Sequence, residues 1–171
     1  MLFFEAAKNL SLDATTVTTP LTECPAQQLS ETIGLVPILR AGLGMAEAIL
    51  DILPDAQVWH LGLYRDHDTK QPITYYNKLT GTTALDVCFM LDPMLATGGS
   101  AVAAIQILKD WGVKKINFLA LLAAPEGVKN LQAAHPEVPI FLAALDSHLD
   151  KNCYIVPGLG DAGDRQFGTL G

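Results

Sequence analysis

Apolar residues in this chain gather into short unbroken runs, and most runs lead through a polar or glycine-rich turn into helical spacing. Val87-Cys88-Phe89-Met90-Leu91 is the clearest, the mark of a strand covered on both faces in a parallel sheet. Beyond the turn Thr97-Gly98-Gly99-Ser100, residues Val102, Ile105, Leu108 and Trp111 recur every third position with Ala101 and Ala104 beside them. That spacing predicts a helix, closed by Gly112, where a helix C-terminus favours positive φ. Upstream, Leu35-Val36-Pro37-Ile38-Leu39 predicts a strand, Arg40-Ala41-Gly42-Leu43-Gly44 a turn, and residues 45–53 a helix. Residues 58–64 predict a third strand, ending at Arg65. Downstream, Lys115 and residues 116–122 predict a strand, Pro125-Glu126 opens a helix to about His135, and residues 140–145 form a further strand. Strands alternating with helices predict an α/β fold, one domain over 1–171 with a parallel sheet flanked by helices.

Two regions depart from this alternation. Residues 66–71 are polar and 73–79 are β-prone, with Tyr75 and Tyr76, so the pair predicts a mobile β-hairpin arm, a flap over a site. Lys78 on it reads as a solvated edge charge. Residues 1–34 are less legible: 1–10 suit the end of a helix, 15–19 are β-prone and 20–28 read as loop.

The turns carry the candidate chemistry. A strand, a Thr-Gly-Gly-Ser turn and a helix form an anion cradle: glycines let main-chain N–H groups approach a phosphate, hydroxyls add donors, and the helix N-terminus adds its positive end. Arg40 and Arg65 stand at the carboxyl ends of their strands, where open α/β sheets place ligands. Near the C-terminus, Tyr154-Ile155-Val156-Pro157-Gly158-Leu159-Gly160-Asp161-Ala162-Gly163-Asp164-Arg165 mixes glycines with two carboxylates and an arginine. An exposed, flexible loop would explain the glycines, but not the apolar Ile155, Val156 and Leu159. A loop that grips a planar ring by its own N–H and C=O groups would explain both.

Composition narrows the partners. Half of the 171 residues are hydrophobic, which suits a sheet covered on both faces. The formal net charge is -7 with only 11 Lys and Arg, so nucleic acid is excluded as a main partner and any anion site must be local. Cys24, Cys88 and Cys153 have no paired spacing and read as reduced thiols of a cytoplasmic protein. His135 and His148 lack a partner at metal spacing and read as structural or solvent-facing. No basic leader precedes an apolar run, and no run approaches the roughly 18 residues of a membrane span.

Three motifs in order, Val36-Pro37-Ile38-Leu39-Arg40-Ala41-Gly42-Leu43-Gly44-Met45, residues 92–100, and Pro157-Gly158-Leu159-Gly160-Asp161-Ala162-Gly163-Asp164-Arg165, resemble the uracil phosphoribosyltransferase family. The resemblance implies a type I phosphoribosyltransferase fold that turns uracil and 5-phosphoribosyl 1-diphosphate (PRPP) into UMP and diphosphate, with Mg²⁺ accompanying the diphosphate. It implies that Asp92, Pro93, Met94, Leu95, Ala96, Thr97, Gly98, Gly99 and Ser100 bind PRPP, Asp92 facing the ribose hydroxyls and Thr97 to Ser100 the 5-phosphate. Arg40 and Arg65 hold the diphosphate. Ile155, Gly160, Asp161 and Ala162 read uracil, with Asp161 also near the reacting centre, so Asp161, Arg40 and Arg65 form the implied catalytic set. Many type I enzymes carry two adjacent acids before the phosphate loop; Pro93 replaces the second, as in the uracil branch. Relative to the family the chain is expected to begin late, without an N-terminal helical segment, which bears on the implied homodimer or higher homo-oligomer and on a GTP effector. A catalytically silent or regulatory nucleotide-binding protein of the same fold is the alternative.

Overall fold

A computed structural model describes residues 1–65, 72–79, 81 and 85–169; for Tyr64, Arg65 and Pro72 it describes the main chain alone. In chain order the elements are α1 (Leu2–Ala6), β1 (Leu12–Thr18), β2 (Glu23–Leu29), β3 (Ile33–Leu39), α2 (Leu43–Leu50), β4 (Gln57–Val58), β5 (Leu61–Arg65) and β6 (Pro72–Asn77). There follow β7 (Val87–Leu91), β8 (Met94–Leu95), α3 (Gly99–Asp110), β9 (Lys115–Ala123), α4 (Pro125–Ala134), β10 (Ile140–Leu145), β11 (His148–Leu149), β12 (Ile155–Val156) and α5 (Ala162–Phe167).

The main sheet runs β10-β9-β7-β3-β5-β6, with β4 added to β3 and β8 to β9. Its pairs are parallel except β5 with β6, which form the expected hairpin arm; the connecting residues 66–71 lie outside the described residues. Each central strand divides its side chains between two cores, as a pleat buried on both faces requires. In β7, Val87, Phe89 and Leu91 meet Phe3 and Ala6 of α1 and Ala46 and Ile49 of α2. Cys88 and Met90 face the other way, toward Ala104, Ile105 and Leu108 of α3 and Leu131 of α4. The Phe3 and Phe89 rings pack edge to face with centroids 5.1 Å apart. With Phe89 wholly buried, truncating it to Ala would cost about 3–5 kcal/mol.

After β3 the chain passes through α2 to β5 on one side, and after β7 through α3 to β9 on the other. The winding therefore reverses between β3 and β7, and a crevice opens at the carboxyl ends of those two strands. Arg40 follows β3 there and Asp92 follows β7.

Two sequence expectations need correction. Of residues 20–28, only 20–22 form a turn: from Glu23 the chain is β2, which pairs antiparallel with β1 from Leu12 opposite Leu29 to Thr18 opposite Glu23. Pro25 obscured this strand, yet both strands of a two-stranded ribbon are edge strands, where proline is tolerated. The strand expected over 58–64 is divided into β4 and β5, which both pair with β3 but at opposite ends of it.

Candidate active site

The loop over residues 92–100 is sewn to the buried sheet. Asp92 N–H donates to Leu119 O (3.1 Å), Pro93 O accepts from Leu121 and Leu122 N–H (3.1 and 2.9 Å), and Ala124 N–H donates to Leu95 O (2.9 Å). Pro93 and Leu95 are accordingly buried, while Asp92, Met94, Ala96, Thr97, Gly99 and Ser100 keep some surface. Gly98 is the N-cap of α3 at φ 80°, left-handed backbone that a side chain resists, and a Cβ there would stand 2.8 Å from Gly127 O. Gly98 brings no side-chain cap to this helix and the first turn holds no acid, so the positive end of the helix is left uncompensated by its own residues, an arrangement that suits an anion. Asn130 Nδ2 braces the loop from α4, donating to Thr97 O (2.9 Å).

Asp92 is half-buried and, among the described residues, accepts only a long bond from Met94 N–H (3.3 Å). Desolvation outweighs that bond and pushes its carboxyl up to about 7. Opposite it, Arg40 is exposed and joined to Asp164 and, at 2.9 Å, to Thr169 Oγ1, with the Phe167 ring centroid 5.9 Å from its guanidinium carbon. Hydrogen bonding from Thr169 and then from Arg40 holds the Asp164 carboxyl below the usual carboxylate range.

The C-terminal loop is built from turns. Asp146 accepts from Gly158 N–H (3.0 Å), Asp150 from Asn152 and Tyr154 N–H (2.8 Å each), and Arg165 donates to Leu159 O (3.2 Å). Asp161 is the N-cap of α5, its side chain accepting from Asp164 N–H at 2.8 Å. Among the described residues, no hydrogen bond engages the main chain of Gly160.

Two adjoining cavities result. One, of about 230 Å³, is lined by Ile155, Gly160, Asp161 and Ala162, with Met94 and Ala96 of the 92–100 loop. The other, of about 380 Å³, is lined by Arg40 and Ser100 with Ile38, Leu63 and Tyr75. Ala41, Asp92, Asp161 and Gly163 line both, so the two carboxylates stand where the cavities meet. Arg65 ends β5 opposite Pro72, and its side chain lies outside the described residues. Sequence reasoning did not find Leu63 and Tyr75, brought in by the hairpin arm, or Cys153 and Tyr154 beside the smaller cavity. The aromatic Tyr75 on a predicted flap was the available signal. Lys78 is exposed, as expected of an edge charge.

No three His, Cys, Asp or Glu side chains converge on a metal position among the described residues. His135 is buried between Lys109 Nζ, which donates to its Nδ1 (2.7 Å), and Val102 O, which accepts from Nε2 (3.1 Å). It is a structural histidine, with its tautomer assigned from these partners. Among the described residues no helix is long and apolar enough to cross a membrane.

A parallel sheet flanked by helices, with an open helix N-terminus at its switch point, defines a protein of the type I phosphoribosyltransferase class. An adenine phosphoribosyltransferase from Thermoanaerobacter pseudethanolicus shares the fold at TM-score 0.57 and 10% identity, over 84% of this chain and 76% of that one. The chain belongs to the uracil phosphoribosyltransferase family, whose model, described as "Uracil phosphoribosyltransferase", matches residues 1–169. A protein of that name from Roseiflexus castenholzii is 64% identical over 168 residues, 98% of this chain and 81% of the relative. The solved structure of the AQ2163 protein from Aquifex aeolicus superposes at TM-score 0.91 with 38% identity, covering 98% of this chain and 80% of that one.

Proposed function

We propose that the chain transfers the phosphoribosyl group of PRPP to uracil, forming UMP and diphosphate in pyrimidine salvage. The observation that carries this reading is the pair of cavities that share Asp92 and Asp161: one has room for a pyrimidine beside main-chain groups, and the other runs from Arg40 to the phosphate loop. Relatives at 51–64% identity that bear the name uracil phosphoribosyltransferase support it.

In this reading the first turn of α3 and the Thr97-to-Ser100 loop hold the 5-phosphate by main-chain N–H groups and hydroxyls. Met94, Leu95 and Ala96 contribute main chain, and Pro93 fixes the bend after Asp92. The sugar hydroxyls lie on Asp92, where an ionised carboxylate accepts them. Uracil lies against Ile155, Gly160 and Ala162. Its N1 bonds to the sugar C1 as the C1–O bond to diphosphate breaks, and the N1 proton leaves to solvent. The developing positive charge on the sugar faces Asp161, and the negative charge on the leaving group faces Arg40, with Arg65 the second cation. No protein nucleophile takes part. The gain comes from orientation and from fixed charges that need no rearrangement.

Mg²⁺, which would accompany the diphosphate of PRPP, would supply further positive charge for the leaving group beside Arg40 and Arg65. A cytoplasmic homo-oligomer and a GTP effector complete the reading; the exposed Leu12, Val17, Leu21 and Leu29 of the β1–β2 ribbon offer apolar surface to a second copy.

Incubating the purified chain with uracil, PRPP and Mg²⁺ tests the proposal. UMP and diphosphate should form in equal amounts, with cytosine turned over far more slowly, because cytosine reverses the donor and acceptor order at its ring edge. Donor binding without any UMP would sink the enzyme reading in favour of a nucleotide-binding regulator.

A further inference from the structure

The Arg40 side chain is not held by its own strand end. Its two terminal nitrogens are anchored at the far end of the chain, one to Asp164 and one to Thr169 Oγ1 at 2.9 Å, and Thr169 Oγ1 in turn donates to Asp164 Oδ1 at 2.7 Å. The Phe167 ring lies beside the guanidinium, and a Cβ on Gly163 would come within 3.2 Å of Arg40 Nε. One turn further along the surface, the Gln166 amide reaches the same loop: with its oxygen and nitrogen assigned from their neighbours, the nitrogen donates to Ala41 O (2.9 Å) and the oxygen accepts from Gly44 N–H (3.0 Å). Every residue of α5 from Gly163 to Phe167 except Arg165 thus meets residues 40–44. The opposite end of this six-residue helix is capped by Asp161, which lines both cavities.

We propose that Asp164, assisted by Thr169, is the positioning residue for Arg40, fixing the guanidinium that faces the donor's diphosphate and tying it to the helix that carries the base loop. The inference rests on the transferase reading above. A guanidinium has five N–H donors, and only two are engaged among the described residues, so three remain for an anion after the side chain is anchored. An exposed arginine that must be ordered by its ligand loses rotamer freedom on binding; one already pinned does not. A helix of six residues has too few internal bonds to stand alone, but Gln166 also holds α5 to Ala41 and Gly44, so its place survives the loss of Asp164. Asp164 also lends a negative charge that opposes anion binding. Orientation and charge masking therefore predict opposite signs, and a substitution distinguishes them.

The test uses the whole chain, with KM for PRPP and for uracil measured separately, PRPP titrated calorimetrically without uracil, and melting recorded for each variant. Asp164→Ala removes the acceptor but keeps the N–H that Asp161 caps. It should raise KM and Kd for PRPP about tenfold and lower kcat, with KM for uracil within about twofold. Asp164→Asn keeps an oxygen acceptor and should recover most of the loss. Exposed Thr169→Val removes one anchor and should fall between, and it decides the matter should Asp164→Ala fail to fold. Unchanged PRPP binding in these variants, tighter binding, or an equal rise in both KM values with a lower melting temperature would each overturn the inference. If wild-type enzyme formed no UMP, the transferase reading would fall by itself, while the calorimetric comparison would still report whether Asp164 orders Arg40 for a phosphorylated sugar.

Discussion

The loop over residues 92–100 and the loop over residues 155–162 meet at one pair of cavities, yet they are built by different means. The first hangs between β7 and α3, its main chain bonded to Leu119, Leu121 and Leu122 of β9 and to Ala124 just past it, with Leu95 and, at the end of β7, Leu91 closed off in the core. The second sits past the sheet's β10 edge on a two-residue ladder, β11 with β12, and is shaped by Asp146, Asp150, Asp161 and Arg165 reaching main-chain groups. In the proposed reading, the stiff, buried support meets a phosphate, presented alike by many substrates. The loop whose main-chain positions are set by local side-chain bonds would meet a base with a particular edge, and it can be changed without disturbing the core.

If that division holds, damage should separate cleanly by side. The largest effect is expected for Arg40→Ala, which removes the leaving-group cation: kcat/KM for PRPP should fall roughly 10²- to 10³-fold in initial-rate assays, with the fold intact. Unchanged UMP formation would remove Arg40 from the diphosphate. Next, Gly98→Val places a branched side chain at φ 80° against Gly127 O, at a cost of about 1–3 kcal/mol in urea unfolding, and should weaken PRPP far more than uracil. Equal weakening of both would show that the two loops are not independent. For Asp161→Asn, asparagine caps a helix as well as aspartate does, so stability should hold within about 0.5 kcal/mol while kcat drops about tenfold. A rise in KM for uracil with kcat unchanged would assign Asp161 to base binding alone.

The smallest expected effect is on pH. Asp92 titrates near 7 in the native chain against an ordinary 3.8, so between these values the folded state holds a proton that the unfolded chain has released. Its contribution to stability is complete below about 3.8, declines as pH rises toward 7 and is gone above. Asp92→Asn should flatten that part of the stability profile measured by denaturant titration. The same ionisation should favour PRPP as pH rises through 7, since the carboxylate is the better acceptor for sugar hydroxyls.

The sheet and cradle were legible because their signals are local. Five consecutive buried residues in β7, a glycine turn and a threefold-spaced apolar stripe lie within 25 residues and each follows from burial on both faces. β2 was illegible for the converse reason: a ribbon exposed on both faces has no core to impose alternation, and Pro25 speaks against a strand. Arg40 and Asp161 were each legible as candidates from their turns. The bond that joins Arg40 to Asp164 was not, because those residues are 124 positions apart and only the packing of α5 unites them. Tyr75 and Leu63 reach the cavity through the β5–β6 register, which includes a bulge at Gly62/Leu63 that no residue pattern announced.

The β1–β2 ribbon carries a consequence for how the molecule opens. Its ladder joins residues close in sequence, Thr18 to Glu23 at the turn, and hairpins of this kind form in microseconds, whereas the parallel pairing of β3 with β7 must close a loop of some fifty residues. The ribbon is thus a separate cooperative unit, able to come apart and re-form while the sheet stays whole. In an isolated subunit its amide protons should trade with deuterated water long before those of β7. A ribbon that exchanged as slowly as β7 would record the footprint of another chain lying across it.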